Sequence, residues 1–169
     1  NSTPMVQLRQ IAKEELFKVQ GIAHQTWPST FGAILSVEQI DYMLHWMYDL
    51  QLLESQVEKG HTFLIAEAQG TAIGFAGFEL FYKEGRKAKL HKLYLLPSSH
   101  GKGTGKALLQ EVASRARAAG QQILTLNVNK DNQKAIDFYT SQGFVESYKE
   151  VIDIGNGYVM DDAVMELPL

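Results

Sequence analysis

A mixed α/β fold is what this 169-residue sequence predicts, and three observations predict it. Strand, glycine-rich loop, helix and strand succeed one another between residues 87 and 128, a βαβ unit whose two strands must be parallel neighbours. Two more pairs of strand-like segments meet at Gln69-Gly70 and Gly155-Asn156-Gly157, turns that make antiparallel hairpins. Ahead of residue 60, apolar residues recur with helical rather than strand periodicity.

Val6 to Ile11 reads as a short first strand. Lys13 to Trp27 reads as a helix with apolar residues at Leu16, Phe17, Val19 and Ala23, broken by Pro28-Ser29-Thr30-Phe31-Gly32. Ser36, with Gln39 three residues on, forms a capping box that opens a second helical region. That region carries Ile40, Met43, Leu44 and Met47 on one stripe and runs, with a bend, to about Glu58 before Lys59-Gly60 stops it. His61 to Gln69 and Thr71 to Tyr82 form the first hairpin, and Lys87 to Leu96 is a strand ended by Pro97. Gly103 to Ala119 is a helix with Leu108, Leu109, Val112, Ala113 and Ala116 on its buried face and Gly120 as its stop. Ile123 to Val128 is a strand, Asp131 to Gln142 a helix, and Phe144 to Ile154 and Tyr158 to Leu167 the final hairpin.

Composition narrows the function classes. A net charge of −3 argues against a nucleic-acid binder that works through a large basic surface. No apolar run nears the roughly 18 residues that cross a bilayer, and no signal-peptide pattern opens the chain, so a cytoplasmic protein without a membrane partner is expected. The absence of cysteine removes disulfides, thiolate metal sites and a thiol nucleophile together. No histidine stands at metal-ligand spacing from another, so no metal is expected, and His24, His45 and His61 read as structural residues.

His100-Gly101-Lys102-Gly103-Thr104-Gly105-Lys106 lies between a strand and a helix. Glycines there let the backbone approach a ligand, and helix-opening N–H groups suit a pyrophosphate. A nucleoside-triphosphate loop would need Gly at position 100 and Ser or Thr at 107, where the chain has His100 and Ala107. A dinucleotide fingerprint fails at Lys106. On these residues alone, a ligand-free glycine turn and a phosphate cradle remain equal alternatives.

Downstream, Asn132, Ala135, Phe138, Tyr139, Gly143 and Phe144 spell N-x-x-A-x-x-F-Y-x-x-x-G-F, with Asn132, Ala135 and Tyr139 on one helical face. Together with the glycine loop about thirty residues earlier, this resembles the GNAT acetyltransferase superfamily over roughly Phe63 to Leu167. The tail from Asp153 to Asp162 is similar to that of bacterial spermidine/spermine acetyltransferase relatives. The resemblance implies a single N-acetyltransferase domain over residues 1–169. In it, 1–60 supply a strand and acceptor-side helices, 61–169 the acyl-CoA-binding core, and a central parallel strand pair sits in a mostly antiparallel sheet. It implies acetyl-CoA as co-substrate, with Gly101, Lys102, Gly103, Thr104, Gly105 and Lys106 on the pyrophosphate beside His100, where the family usually has Gln or Arg. Leu93, Tyr94 and Leu95 would bond the pantetheine like an added strand. The Leu93 N–H would polarise the acetyl carbonyl, Asn132 and Ala135 would meet the CoA arm, and Tyr139 would protonate the departing thiolate. The plain alternative for Tyr139 is a core tyrosine beside Phe138.

A primary amine of lysine-like pKa is neutral about once in 2,500 molecules at pH 7, so acyl transfer needs an assisted deprotonation. The family's common base position holds Lys89, which offers no carboxylate. His91, two residues on and facing the same side, is the candidate base, its alternative being a surface or cross-strand histidine; Glu79 is the second choice. Trp27 and Phe31 are candidate acceptor-pocket residues, set against ordinary core aromatics, with Tyr42 and Trp46 from the same region. Glu38, Asp41, Asp49 or Asp161-Asp162 would attract a polyamine, the favoured small-molecule amine, although carboxylates of this kind are also ordinary surface groups. An amino acid, an antibiotic-like amine, a protein N-terminus or other protein or peptide amine, a CoA-binding regulator without turnover and a nucleotide-binding module are the alternatives. A homodimer is left open.

Overall fold

In the computed structural model, which describes residues 5–169, the chain runs β1 (Val6–Gln10), α1 (Leu16–Phe31), α2 (Val37–Tyr48), α3 (Leu50–Glu58), β2 (His61–Ala68), β3 (Thr71–Glu79), β4 (Lys87–Leu95), α4 (Thr104–Ala118), β5 (Ile123–Asn129), α5 (Gln133–Ser141), β6 (Val145–Gly155) and β7 (Tyr158–Pro168). The seven strands form one sheet in the order β1-β2-β3-β4-β5-β7-β6. Only β4 and β5 are parallel, as the βαβ reading requires. Helices α4 and α5 pack on one face through Leu108, Leu109, Val112 and Tyr139 against Leu64, Phe78, Leu90 and Leu126. On the other face α1, α2 and α3 bury Leu16, Val19, Trp27, Leu44 and Leu53 against Phe63, Ile65 and Phe75. The result is a three-layer α/β fold. No helix among the described residues is long and apolar enough to cross a membrane.

Three local expectations are corrected. Helix α1 does not stop at Pro28 but continues to Phe31. An interior proline costs about 3 kcal/mol. Here it stands between Trp27, 1% exposed, and Phe31, 6% exposed, one turn apart on the buried face. Two such side chains contribute about 1.5–3 kcal/mol each, enough to hold the turn. Phe17 is 56% exposed and lies off that face, which Ile22 completes instead. The capping box at Ser36 is half formed: Ser36 Oγ accepts from the Gln39 N–H at 3.1 Å, but the Gln39 side chain donates to the Val159 carbonyl at 3.0 Å and ties α2 to β7. The bend in the second helical region lies at Asp49, whose extended backbone ends α2 and whose carboxylate caps α3 through the Leu52 N–H.

Two irregularities in β4 open the sheet and redirect its side chains. First, its pairing with β5 stops at Leu90↔Leu126 although both strands continue, so they splay apart. Second, the β3–β4 register passes from Phe78↔Leu90 to Gly77↔Lys92, leaving His91 unpaired as a bulge. Ala88 and Leu90 pack toward α4. Beyond the bulge the parity reverses: Leu93 and Leu95 take that side, and Lys92 and Tyr94 face α1 and α3.

Gly74, opposite Leu95, marks a close approach between β3 and β4. A Cβ there would stand 2.3 Å from Leu95 Cδ2 and 3.1 Å from the Tyr94 carbonyl oxygen. Gly74→Ala is expected to destabilise the fold by about 1–3 kcal/mol, the usual cost of overpacking, read as a lower urea midpoint at unchanged slope.

Candidate active site

The glycine loop and the Tyr139 helix, about thirty residues apart in sequence, meet where His100 approaches Lys134 and Gly105 approaches Phe138, and Asn132, Ala135 and Tyr139 open from there on the splay between β4 and β5. Gly101 and Gly103 hold φ of +77° and +81°, left-handed values that turn the chain sharply into α4. A Cβ on either would meet nothing, so the loop surface is open to a ligand. Thr104 opens α4 with its hydroxyl buried and without a hydrogen-bond partner among the described residues, a polar atom at a helix N-terminus suited to an anion. Lys102 stands beside it on the loop and Lys106 in the first turn of α4. His100 Nε2 donates to the Leu95 carbonyl at 3.2 Å, and its other ring nitrogen lies 3.2 Å from the Lys134 ammonium at the start of α5. Gly105 lets α4 pass close to Leu95 and Phe138.

Asn132 is the cap of α5, not a member of its face. Its side-chain oxygen accepts from the Ala135 N–H at 3.2 Å, which leaves the amide NH2 as the group it can offer a ligand. The cleft between the splayed strands is lined by Leu90 to Tyr94 from β4, Leu126 to Asn129 from β5, and Asn132, Ala135 and Tyr139. Leu93, Tyr94 and Leu95 lie beyond the last β4–β5 pair, the geometry a strand-like ligand needs. Tyr139 is 9% exposed, wedged between Phe138 and Phe144. Burial pushes its phenol well above the ordinary tyrosine value, so it stays protonated across the working pH range.

A larger cavity of about 360 Å³ adjoins the cleft on the α1–α3 side and shares His91, Lys92 and Tyr94 with it. Trp27 and Phe31 both line it, their rings 4.6 Å apart and each against Tyr94. Trp46 also reaches it, whereas Tyr42 bonds the Ile154 carbonyl at 2.6 Å and stacks on Tyr158 outside it. Of the acidic candidates, Asp162 lines the cavity, buried and hydrogen-bonded by Asn127 at 3.1 Å, and burial raises its pKa. Asp161 pairs with Lys130, Glu38 and Asp41 are exposed, and Asp49 is spent on the α3 cap.

Beside the cavity three side chains from three strands converge. His91 Nε2 lies 2.9 Å from Glu79 Oε1, and His61 Nε2 lies 3.5 Å from the same oxygen. The imidazoles of His61 and His91 stack, 4.6 Å apart and 16° from parallel. Sequence spacing hid this cluster, because His61 joins it only through the β2–β3 register that sets His61 opposite Glu79. The three ligating atoms lie within 4.8 Å of one another, as in a metal site. Imidazole lone pairs lie in the ring plane, however, and two near-parallel rings cannot both aim theirs at one ion unless one turns. The contacts instead describe a carboxylate held between two imidazoles. Burial, then His61, Lys89 and Lys92, pushes His91 far below the ordinary histidine value. His61 is pushed down to about 4, chiefly by burial. Both rings are therefore neutral, while burial raises Glu79. The expectation that His91 keeps an ordinary pKa suited to a base is corrected by this burial.

Lys92 escaped the sequence reading altogether. An unbroken strand alternation puts it with Leu90, and only the bulge turns it into the acceptor-side cavity.

The chain is similar to known proteins in sequence and in fold. The chain is 28% identical over 144 residues to a spermidine N(1)-acetyltransferase of Thermoplasma acidophilum, covering 82% of this chain and 88% of that one. The crystal structure of the PaiA N-acetyltransferase of the same organism in complex with coenzyme A is 28% identical, with a TM-score of 0.81 over 98% of this chain and 99% of that one. A GCN5-related N-acetyltransferase from Rhodopseudomonas palustris is 26% identical, with a TM-score of 0.83 over 99% and 97% of the two chains. Residues 8–144, which hold the glycine loop, the splayed strand pair and Tyr139, match the acetyltransferase (GNAT) family, and the chain belongs to that family as an acyl-CoA-dependent N-acetyltransferase.

Proposed function

We propose that the chain transfers the acetyl group of acetyl-CoA directly to the primary amine of a small molecule bound in the cavity against Trp27 and Phe31. The observation that carries this reading is the continuity of that cavity with the β4–β5 cleft, since both are lined by His91, Lys92 and Tyr94. A thioester in the cleft and an amine in the cavity would meet at β4.

Gly101 to Lys106 would hold the pyrophosphate, and Leu93 to Leu95 would pair with the pantetheine. The Leu93 N–H would receive the negative charge that develops on the acetyl oxygen. Glu79, with its raised pKa, stands behind His91, the cluster's one member on the lining among the described residues, and would take a proton from the acceptor ammonium through water, while neutral His91 donates its Nε2–H to the same carboxylate. This reverses the order of the two candidates, because the buried imidazole is the weaker base. The amine lone pair then forms the N–C bond, the C–S bond breaks, the Tyr139 phenol gives its proton to the leaving sulfur, and the second proton shed by the nitrogen restores the phenol. The balance is one thioester and one ammonium in, one amide, one thiol and one proton out.

Asp162 and the resemblance to a spermidine acetyltransferase support a polyamine acceptor. The cavity's other charged groups, Lys89 and Lys92, oppose it.

A panel of small amines with acetyl-CoA, read by free-thiol appearance and by mass of the acetylated product, tests the reading. Turnover with at least one of them is expected. Binding of acetyl-CoA without thiol release from any would instead mark a regulator that does no chemistry.

A further inference from the structure

We propose that the acceptor is a small amine that also carries a carboxylate, the carboxylate seated on Lys92 and the amine on the Glu79–His91 side of the same cavity. This rests on the acetyl-transfer reading above and narrows its substrate class.

Lys92 is 5% exposed yet lines both the cavity and the cleft. Among the described residues its one side-chain hydrogen bond is to Gln56 Oε1 at 3.1 Å, and its ammonium lies over the rings of Tyr48 and Phe63 at 5.5 and 5.7 Å. No carboxylate among the described residues pairs with it. Burial alone lowers it, to about 8, so it remains mostly charged at pH 7. A buried ammonium with only an amide oxygen and two aromatic faces for company is under-compensated. An anionic ligand group would supply the missing charge.

The placement suits a compact amino acid. The bulge at His91 brings His91 and Lys92, consecutive in sequence, to the same side of β4, so the imidazole that holds the Glu79 carboxylate and a cation stand next to each other. Trp27, Phe31, Leu35, Met43 and Met47 form an apolar stretch of the wall that suits a hydrocarbon side chain, with Gln56, Lys89, Asn127, Asn129 and Asp162 as its other polar members. A polyamine meets the opposite conditions. Its second ammonium would approach Lys92 and Lys89, and Asp162, the one carboxylate of the lining among the described residues, is already bonded to Asn127.

The test measures kcat/KM at saturating acetyl-CoA for leucine, methionine and phenylalanine, each beside the amine that lacks its carboxylate, and for spermidine. Wild type and Lys92→Met are compared by the ratio of acid to amine, so differences in amine basicity cancel. At least one acid is expected to exceed its carboxylate-free partner, and Lys92→Met is expected to lower that ratio roughly 30-fold or more, the effect of removing one partner of a buried charge pair. The proposal is overturned if the plain amines or spermidine are turned over better than every acid, or if Lys92→Met lowers acid and amine equally; thiol release from them leaves acetyl transfer standing. Should Lys92→Met fail to fold, the wild-type ratios decide alone. Absence of thiol release with every compound overturns the acetyl-transfer reading, and this one with it.

Discussion

Tyr139→Phe is expected to lower kcat roughly 100- to 1,000-fold while leaving acetyl-CoA affinity essentially unchanged, the range for loss of one positioned general acid. The substitution removes an oxygen and nothing else. The ring keeps its contacts with Phe138 and Phe144, so α5 and its Asn132 cap stay in place. Burial holds the phenol protonated, so what is lost is a proton ready for the leaving sulfur. An interaction used only as the C–S bond breaks appears in kcat and kcat/KM together, with ground-state binding spared. Turnover measured beside calorimetric binding of acetyl-CoA separates the two. Equal loss of binding and turnover would reduce Tyr139 to a packing residue.

How much of this site could be read from the chain depends on how local each signal is. The glycine loop and the run from Asn132 to Phe144 were legible because each is contained within a few turns of backbone, where residue type and spacing determine the shape. The parallel pair β4–β5 was legible for the same reason, since a strand, loop, helix and strand in succession permit one hand and one direction. What escaped depends on register between strands. His61 meets His91 only because it stands opposite Glu79 across the β2–β3 ladder. Lys92 enters the cavity only because one unpaired residue reverses the alternation of β4. Nothing in the stretch Lys89-Leu90-His91-Lys92-Leu93 announces that slip, which belongs to the match with β3. The failure at Pro28 is of another kind: the breaker is plain in the sequence, but the burial of Trp27 and Phe31 that outweighs it belongs to the tertiary structure. The pKa of His91 was unreadable in principle, because it is set by what surrounds the ring.

Glu79→Gln is expected to lower kcat/KM roughly 100- to 1,000-fold, more than His91→Gln does, and to erase the acid limb of the pH–rate profile. Burial raises the Glu79 pKa, so in the folded protein the carboxylate is protonated at low pH and becomes a base only as pH climbs above the usual carboxylate range. Wild-type kcat/KM should therefore rise with pH through that raised value. His91, kept neutral by burial beside His61 and two lysines, has no titration of its own in that window, so His91→Gln should keep the limb while losing part of the rate. The same shift bears on stability in the opposite direction. A carboxyl group whose folded pKa is raised contributes stability below it and loses that contribution as pH rises through it. Glutamine carries no such charge and can still accept from His91 Nε2–H, so Glu79→Gln is expected to unfold at no lower denaturant than wild type at neutral pH. An inactive variant that is fully stable places the loss in the chemistry. If His91→Gln instead removed the limb and Glu79→Gln kept it, the imidazole would be the base and the carboxylate its support.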